Sequence, residues 1–439
     1  MFLNCLFKST VIYVAITWLM AAVDLSALAQ EVQRTDKGLY ELVDKRLRLV
    51  TDIPIDAELK SWPGLLDQAI EHWRIYFDAD PDKWNDLHLD VMLVGDRAKM
   101  ESLGMLDAVP AFEEGYQLGN QLYVREQSSV YFRRNMFLHE ATHWIVWHLY
   151  GGGGSPWFME GLAEMQGTHS LVEGKLTLGL IPEKASLVPA WGRLRLIHDT
   201  LSGGVAPSLD EIFAYGNARE EHRIRYAWSW AACQFFSRHP KYGPILNGLY
   251  RQGLDYSYDL SARFKKCLLP EWPIVQAEWN AFVSDLDFGY DFHRSLVRID
   301  QDTRVSAMPW MLQVDRGWQS TGIRVEAGQS IGVEASGKYR VREGRSVLAV
   351  DWDSEPAGIT AEYHRGKPLG CLLASLVSLN GQEQTRVWEE HRVGRQSTWA
   401  AKSSGMLFLK VNEPSRELYD NVGELSVRIS VNQVGRIIP

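Results

Sequence analysis

The sequence predicts an α+β domain followed by an all-β, jelly-roll-like sandwich, and two observations lead to this fold class. Before about residue 300, strand patterns alternate with longer stretches in which apolar residues recur at helical spacing. Beyond residue 300, short alternating runs are separated by Gly, Asn, Asp and Ser, as in a β-sandwich. A chain of 439 residues also favours two domains, and we place them at residues 30–300 and 305–439.

The first 29 residues have the layout of a secretory signal peptide. Lys8 precedes an apolar run from Thr10 to Val23, and Ala27-Leu28-Ala29 forms a small-x-small cleavage site. The run is too short for a comfortable transmembrane helix, although an uncleaved anchor is the alternative. We therefore expect an exported protein, periplasmic or extracellular, without a transmembrane span after signal removal. The net charge of −9, without a long basic run, argues against nucleic-acid binding.

The first domain is expected to begin with a small sheet. Strand patterns run from Gly38 to Ile53, from Leu87 to Val94 and from Tyr116 to Val124, and a helical pattern lies between the first two. The last of these strands leads into a helix from Ser129 to Tyr150. An extended strand at the edge of such a sheet is able to align a peptide by backbone pairing.

The helix from Ser129 to Tyr150 carries the motif His-Glu-x-x-His, formed by His139, Glu140 and His143. Residues four apart lie on one face of a helix, so the two imidazoles can point at one metal ion. Glu140 is rotated by about 100° from His139 and can reach a water molecule instead. The spacing therefore predicts a zinc hydrolase.

A catalytic zinc site usually has a third protein ligand. Glu160 and Glu164 are the candidates, because a glycine run ends the motif helix and a second helix follows. The three-histidine class would need a histidine where Leu149 stands, and His148 lies on the opposite face of an ideal helix. His169, shortly after the second helix, is expected to be a surface or loop residue and not a ligand.

The run from His139 to His143, together with the run from Pro156 to Glu164, resembles the gluzincin metallopeptidases, the superfamily of the alanyl aminopeptidases and thermolysin. The resemblance covers roughly residues 137–166. It implies His139, His143 and Glu160 as zinc ligands, and Glu164 as a carboxylate that orients a ligating histidine. It also implies hydrolysis of peptide or protein substrates, with Glu140 as general base for a metal-activated water.

The resemblance suggests Tyr226, at the start of an aromatic helix, as the donor that stabilises the oxyanion. A core tyrosine is the alternative reading, and His222 is a rival donor. Aminopeptidases of this superfamily bind the substrate amine through a glutamate in a Gly-x-Met-Glu-Asn strand. The comparable stretch from Gly115 to Asn120 has no glutamate after Gly115, so an endopeptidase is favoured over an aminopeptidase.

The second domain resembles the PA-I type galactophilic lectin sandwich in several segments, among them the stretch from Gly405 to Asn412 and that from Tyr419 to Val427. In that lectin the final loop binds calcium, which holds sugar hydroxyls. The resemblance implies a Ca²⁺ site, carbohydrate as a partner, and a set of oxygen donors: Asn412, Glu413, Asp420 and Asn421. Ordinary turn chemistry in a structural sandwich is the alternative. The alternative function is a catalytically silent carbohydrate- or surface-binding protein on a metal-stabilised scaffold.

Overall fold

A computed structural model describes most of the chain: residues 32–204, 206–216, 222–254, 259–299, 309–344, 350–378 and 390–432. The predicted signal peptide, the predicted domain boundary and the side chain of His222 lie outside the described residues. The described part is a mixture of α-helices and several β-sheets, as the prediction of an α+β fold requires.

A six-stranded sheet opens the first region. Its strands are β1 (Gln33–Arg34), β2 (Tyr40–Val43), β3 (Leu47–Thr51), β4 (Leu89–Val94), β5 (Gly115–Leu118) and β6 (Gln121–Arg125), in the spatial order β1-β2-β3-β4-β6-β5. The pairs β3–β4 and β4–β6 are parallel, whereas β5 is an antiparallel edge strand on β6. The prediction of one strand from Tyr116 to Val124 is therefore wrong. Gly119, with φ of 58°, turns the chain into a hairpin there.

Helices form most of the remaining first region. They are α1 (Ala57–Lys60), α2 (Trp62–Phe77), α3 (Arg97–Ser102), α4 (Val130–Tyr150), α5 (Pro156–Gly167), α6 (Arg193–Ser202), α7 (Leu209–Phe213), α8 (His222–Arg238), α9 (Tyr242–Tyr250), α10 (Leu260–Leu268), α11 (Trp272–Asp285) and α12 (Phe292–Ser295), with the hairpin β7 (His169–Val172) and β8 (Lys175–Leu178) after α5. Among the described residues, no helix combines the length and the apolar character needed to cross a membrane.

The helix that carries the motif, α4, has the predicted bounds. The Ser129 hydroxyl accepts a hydrogen bond from the Phe132 amide at 3.0 Å and so caps the N-terminus. Gly151, with φ of 77°, ends the helix in the left-handed conformation that glycine adopts without strain. Apolar residues of α2, α4, α5 and α8 share one core with the sheet, so α4 is buried along most of its length.

Gly161 allows α5 to lie against α8. A Cβ atom at this position would lie 2.3 Å from the main-chain oxygen of Ser229 and 2.7 Å from the sulfur of Cys233. Only a residue without a side chain therefore permits this approach of the two backbones. The approach fixes the position of Glu160, the residue before Gly161, relative to α8.

Antiparallel strands form the second region. They are β9 (Trp310–Gln313), β10 (Gln319–Val325), β11 (Ser330–Ser336), β12 (Tyr339–Arg342), β13 (Trp352–Ser354), β14 (Ile359–His364), β15 (Lys367–Leu369), β16 (Leu372–Val377), β17 (Glu390–Arg392), β18 (Gln396–Ala400), β19 (Gly405–Val411) and β20 (Glu424–Asn432). Two four-stranded sheets, β10-β19-β16-β17 and β18-β11-β20-β9, enclose a common apolar core. The second region therefore has the sandwich architecture that the alternating runs predict.

The two regions contact each other through α11. Three apolar residues of this helix, Ile274, Ala277 and Ala281, pack against one sheet of the sandwich. The sheet residues are Leu373 and Val377 of β16 and Met406 and Phe408 of β19. The Lys410 ammonium lies 2.7 Å and 2.9 Å from the two carboxylate oxygens of Asp285, and Arg365 reaches the same carboxylate at 3.1 Å. Burial would raise the pKa of Asp285, but the two cations outweigh it and hold the pKa below its ordinary value.

Candidate functional site

Helices α4 and α5 bring three predicted ligands together. His139 and His143 project from α4, and Glu160 projects from α5. Glu160 Oε2 lies 3.3 Å from His139 Nε2 and 3.6 Å from His143 Nε2, and the two Nε2 atoms are 3.1 Å apart. Within the described part of the chain, these three side chains are a group of histidine and acidic residues that lie close enough together to hold a metal ion.

The three distances fit a small tetrahedral ion. Two ligand atoms that each lie about 2.0 Å from a tetrahedral ion are separated by about 3.3 Å. The observed separations of 3.1, 3.3 and 3.6 Å are all close to that value. Two imidazoles and one carboxylate are also ligands that zinc accepts. The donor set and its spacing therefore fit zinc.

The charges of this group support one another. Burial would raise the pKa of Glu160, but His143 and His139 outweigh it and hold the pKa well below its ordinary value. Burial would likewise lower the pKa of His139, but Glu160 and Glu164 outweigh it and raise the pKa. Both carboxylates therefore stabilise positive charge at the His139 ring. A metal ion bound there would be stabilised by the same negative charges.

Glu140 lies beside the ligands in a cleft of about 1140 Å³ that also contains His139, His143 and Glu160. Its side chain is 5% exposed, and burial raises its pKa to about 8. The edge strand β5 approaches it closely, because a Cβ atom on Gly115 would lie only 2.3 Å from Glu140 Oε1. The absence of a side chain at residue 115 therefore leaves room for the predicted base.

The edge strand β5 lines the same cleft. The Arg125 amide donates to the Glu114 carbonyl at 2.9 Å, which makes these two residues a hydrogen-bonded pair of the antiparallel ladder. Because such pairs alternate along a ladder, the main-chain groups of Gly115 and Gln117 point away from β6. The open edge of the sheet thus presents peptide groups next to Glu140.

Glu164 lies next to the Nδ1 atom of His139, as the family resemblance implies, but its main partner, Arg193, was not predicted. Its Oε1 atom is 3.6 Å from His139 Nδ1, whereas Arg193 donates to both carboxylate oxygens, at 2.9 Å and 2.6 Å. Glu164 is 1% exposed and Arg193 is 4% exposed. A buried carboxylate requires a partner, so the sequence could have predicted that Glu164 is paired. It does not reveal which distant arginine is the partner.

Tyr226, on α8, lines the cleft, and its ring centroid lies 6.4 Å from that of His139. Burial, followed by Glu160 and Glu164, raises the pKa of its hydroxyl, so the hydroxyl stays protonated. Glu114 also lines the cleft and forms an ion pair with Arg223 at 3.3 Å.

Two further histidines lie outside the metal group. His148 is exposed and its Nε2 atom lies 2.7 Å from the Lys83 carbonyl oxygen. His169 was expected at the surface, and this expectation is wrong. It is 2% exposed and its ring stacks on Tyr131 at 4.5 Å. Burial lowers its pKa to about 4, so this side chain is a neutral core histidine.

The candidate calcium residues lie in the connection between β19 and β20. The Asn412 amide nitrogen donates to three main-chain oxygens, those of His364, Lys367 and Pro368, and therefore fixes the neighbouring chain. The Glu343 amide donates to Asp420 Oδ2 at 3.4 Å.

Glu413 and Asn421 form the buried part of this connection, and the Asn421 amide donates to Glu413 Oε2 at 2.5 Å. Within the described residues, Glu413 Oε1 and Asn421 Oδ1 are buried without a hydrogen-bond partner. Burial raises the pKa of Glu413 to about 9. A cation bound here would contact these two oxygens and would displace the proton that burial retains on Glu413.

Neither a protein-family model nor a curated protein matches the chain. Among solved structures, the chain is similar to one described as "EclA N-terminal domain; PllA-like lectin", with 25% sequence identity and a TM-score of 0.22. The match covers 28% of this chain and 94% of the other. A TM-score of this size does not establish a common fold.

Proposed function

We propose that the protein is an exported, zinc-dependent peptidase of the gluzincin kind. The observation that carries the proposal is the convergence of His139, His143 and Glu160 beside the buried carboxylate of Glu140. An accidental pair of histidines on a surface helix would not bring a carboxylate from a second helix to within 3.6 Å of both rings.

The residues around the site have separate roles in peptide hydrolysis. A zinc ion held there supplies Lewis acidity, which polarises a peptide carbonyl and makes a water molecule more acidic. Glu140, buried beside the three ligands, would accept a proton from the water and pass it to the leaving amine. Tyr226 donates its hydroxyl proton in a hydrogen bond to the developing oxyanion.

The substrate is a peptide in extended conformation, held by the main-chain groups of Gly115 and Gln117. We favour cleavage within a chain over removal of its first residue. Among the glutamates near Gly115, Glu114 is engaged by Arg223 at 3.3 Å, which disfavours its use as an anchor for a free amino terminus.

The test combines metal content with one isosteric substitution. Glu140→Gln should retain one zinc per chain and lose about 10²- to 10⁴-fold in peptide hydrolysis, because the amide cannot take a proton. Hydrolysis is measured on a peptide library by mass spectrometry, which also distinguishes internal from terminal cleavage. Stoichiometric zinc without any turnover that depends on Glu140 would refute the peptidase proposal.

A second candidate function belongs to the sandwich. We infer that Glu413 and Asn421 hold a calcium ion, because two buried oxygens there have no partner within the described residues. The lectin resemblance of the sequence adds carbohydrate as a partner, which needs a test of its own. Terbium luminescence with calcium competition tests the ion, and a glycan array with and without calcium tests the sugar. A chain that binds calcium-dependent glycans but cleaves no peptide would be the silent binding protein.

A further inference from the structure

Arg193 is a buried cation next to the candidate metal site, and no motif of the sequence includes it. It begins α6, is 4% exposed, and its guanidinium holds both carboxylate oxygens of Glu164. Two parallel hydrogen bonds to one carboxylate fix its orientation as well as its position. The rotation of Glu164 is therefore restricted by Arg193.

Glu164 in turn faces the Nδ1 atom of His139, a proposed ligand. Its Oε1 atom lies 3.6 Å from His139 Nδ1, and that nitrogen has no hydrogen-bond partner among the described residues. A ligating histidine is normally oriented by the group that faces its second nitrogen. Arg193 thus contacts Glu164, and Glu164 in turn contacts His139.

Arg193 also lies near Tyr226, which lines the cleft. Its guanidinium carbon lies 6.0 Å from the ring centroid of Tyr226, the proposed oxyanion donor. The ring of Tyr226 and the carboxylate of Glu164 are therefore both within reach of a single guanidinium.

We propose that Arg193 is a positioning residue of the metal centre: it holds the Glu164 carboxylate beside His139 and so fixes the orientation of the His139 ring. This inference rests on the proposed metal-dependent function, since the orientation of His139 matters when its Nε2 atom binds an ion. The alternative is that Arg193 stabilises the fold only, as a buried ion pair does anywhere in a protein.

Arg193→Lys tests the difference, because lysine keeps the charge but cannot hold both oxygens in one plane. We expect its zinc affinity, measured by competition with a chromogenic chelator, to fall by about 10- to 100-fold. The visible absorption spectrum of the cobalt-substituted protein should change as well, because the angle of the His139 ring changes. In kinetics, kcat should fall more than KM rises.

Arg133→Lys is the matched control. Arg133 is also buried, lies on α4 and pairs with carboxylates, at 3.3 Å from Asp56 and 3.5 Å from Glu126, but it contacts none of the proposed ligands. Its lysine variant should lose stability and keep the zinc affinity and the cobalt spectrum of the wild type.

Glu164→Gln approaches the same contact from its other end and serves if Arg193→Lys does not fold. Its zinc affinity should also fall about 10- to 100-fold, and the double variant should lose little more than either single variant, because both changes break one chain of contacts. Unchanged zinc affinity and cobalt spectrum in both single variants would overturn the inference. Zinc binding without peptide cleavage would refute the peptidase proposal alone, whereas a wild-type protein that binds no zinc would refute both.

Discussion

The two candidate ion sites are carried by different kinds of backbone. His139, His143 and Glu160 project from α4 and α5, whose main chains are held by their own hydrogen bonds, and the three ligand groups already lie together. Glu413 and Asn421 lie in the connection between two strands, where one oxygen of Glu413 is taken by the Asn421 amide. The three helical ligand groups already converge, whereas the loop site has two unpartnered oxygens among the described residues and must recruit further ligands to satisfy calcium.

This difference implies different affinities. A site whose ligands are already in place loses little conformational freedom when it binds. A site in a connection that must rearrange binds more weakly, and the weakest calcium sites of proteins have dissociation constants of about 10⁻⁴ to 10⁻³ M. We therefore expect tight zinc in the first region and weak, exchangeable calcium in the second.

The largest expected effect is the loss of a zinc ligand. His143→Ala should lower zinc affinity by more than about 100-fold, since changes to outer partners of a ligand already cost about 10- to 100-fold. Zinc is measured by elemental analysis after gel filtration. His148→Ala, on the same helix and outside the metal group, is the control and should retain zinc. Equal zinc content in the two variants would show that His143 is not a zinc ligand.

The second effect concerns the contact between the regions. Lys410→Met leaves Asp285, which is 9% exposed, with Arg365 as its remaining cation. The free energy of unfolding should fall by about 3 kcal/mol, toward the low end of the range for breaking a buried ion pair, because Arg365 remains. Urea denaturation measures this. Arg195→Met, which breaks the exposed pair with Asp199, should change stability by less than about 0.5 kcal/mol.

The same ion pair predicts a pH dependence. The folded pKa of Asp285 is below its ordinary value of 3.8, so between these two values the unfolded chain binds more protons than the folded one. The stabilisation is therefore complete above the unfolded pKa and is lost as the pH falls through the folded pKa. Removing the Lys410 charge should move acid unfolding to higher pH, as followed by circular dichroism. An unchanged acid transition would show that Asp285 does not control it.

A smaller effect is expected where α5 meets α8. Gly161→Ala places a Cβ atom 2.3 Å from the Ser229 main-chain oxygen, so the helices must separate. We expect a loss of about 1–3 kcal/mol in the free energy of unfolding, as for other overpacked cores. Gly64→Ala, in α2 with open space around its Cβ position, should instead gain about 0.5–1 kcal/mol. If the two variants have the same stability, the close approach of α5 and α8 is not what fixes Glu160.

The smallest effect tests the loop site. Glu413→Gln keeps the shape of the side chain and removes the carboxyl group that would give up its proton to bind calcium. Calcium at about ten times its dissociation constant should stabilise the wild type by about 1.4 kcal/mol, and this gain should be lost in the variant, as seen in thermal unfolding with and without calcium. A gain of the same size in both proteins would place the ion elsewhere.

The sequence predicted the helical site well because helical spacing sets the direction of a side chain. The four-residue interval predicted that His139 and His143 converge, and the glycine turn before α5 left Glu160 and Glu164 as candidates for the third ligand. The choice of Glu160 came from the family resemblance. Arg193 was missed because it lies far along the chain from Glu164 and local spacing carries no information about such pairs. The burial of His169 was missed for the same reason, since its environment includes Tyr131 of another element. The hairpin at Gly119 was missed because a two-residue turn interrupts an otherwise continuous strand pattern.

Gly115 has a consequence for comparing this protein with its relatives. A Cβ atom at that position would lie 2.3 Å from Glu140 Oε1, so a side chain there would force the Glu140 carboxylate to move. A relative that keeps both histidines and acquires alanine or a larger residue there would retain the ion and lose room for the base. Under the proposed peptidase function, residue 115 would be a marker, separate from the motif, for sorting relatives that keep room for the base from those that only bind metal.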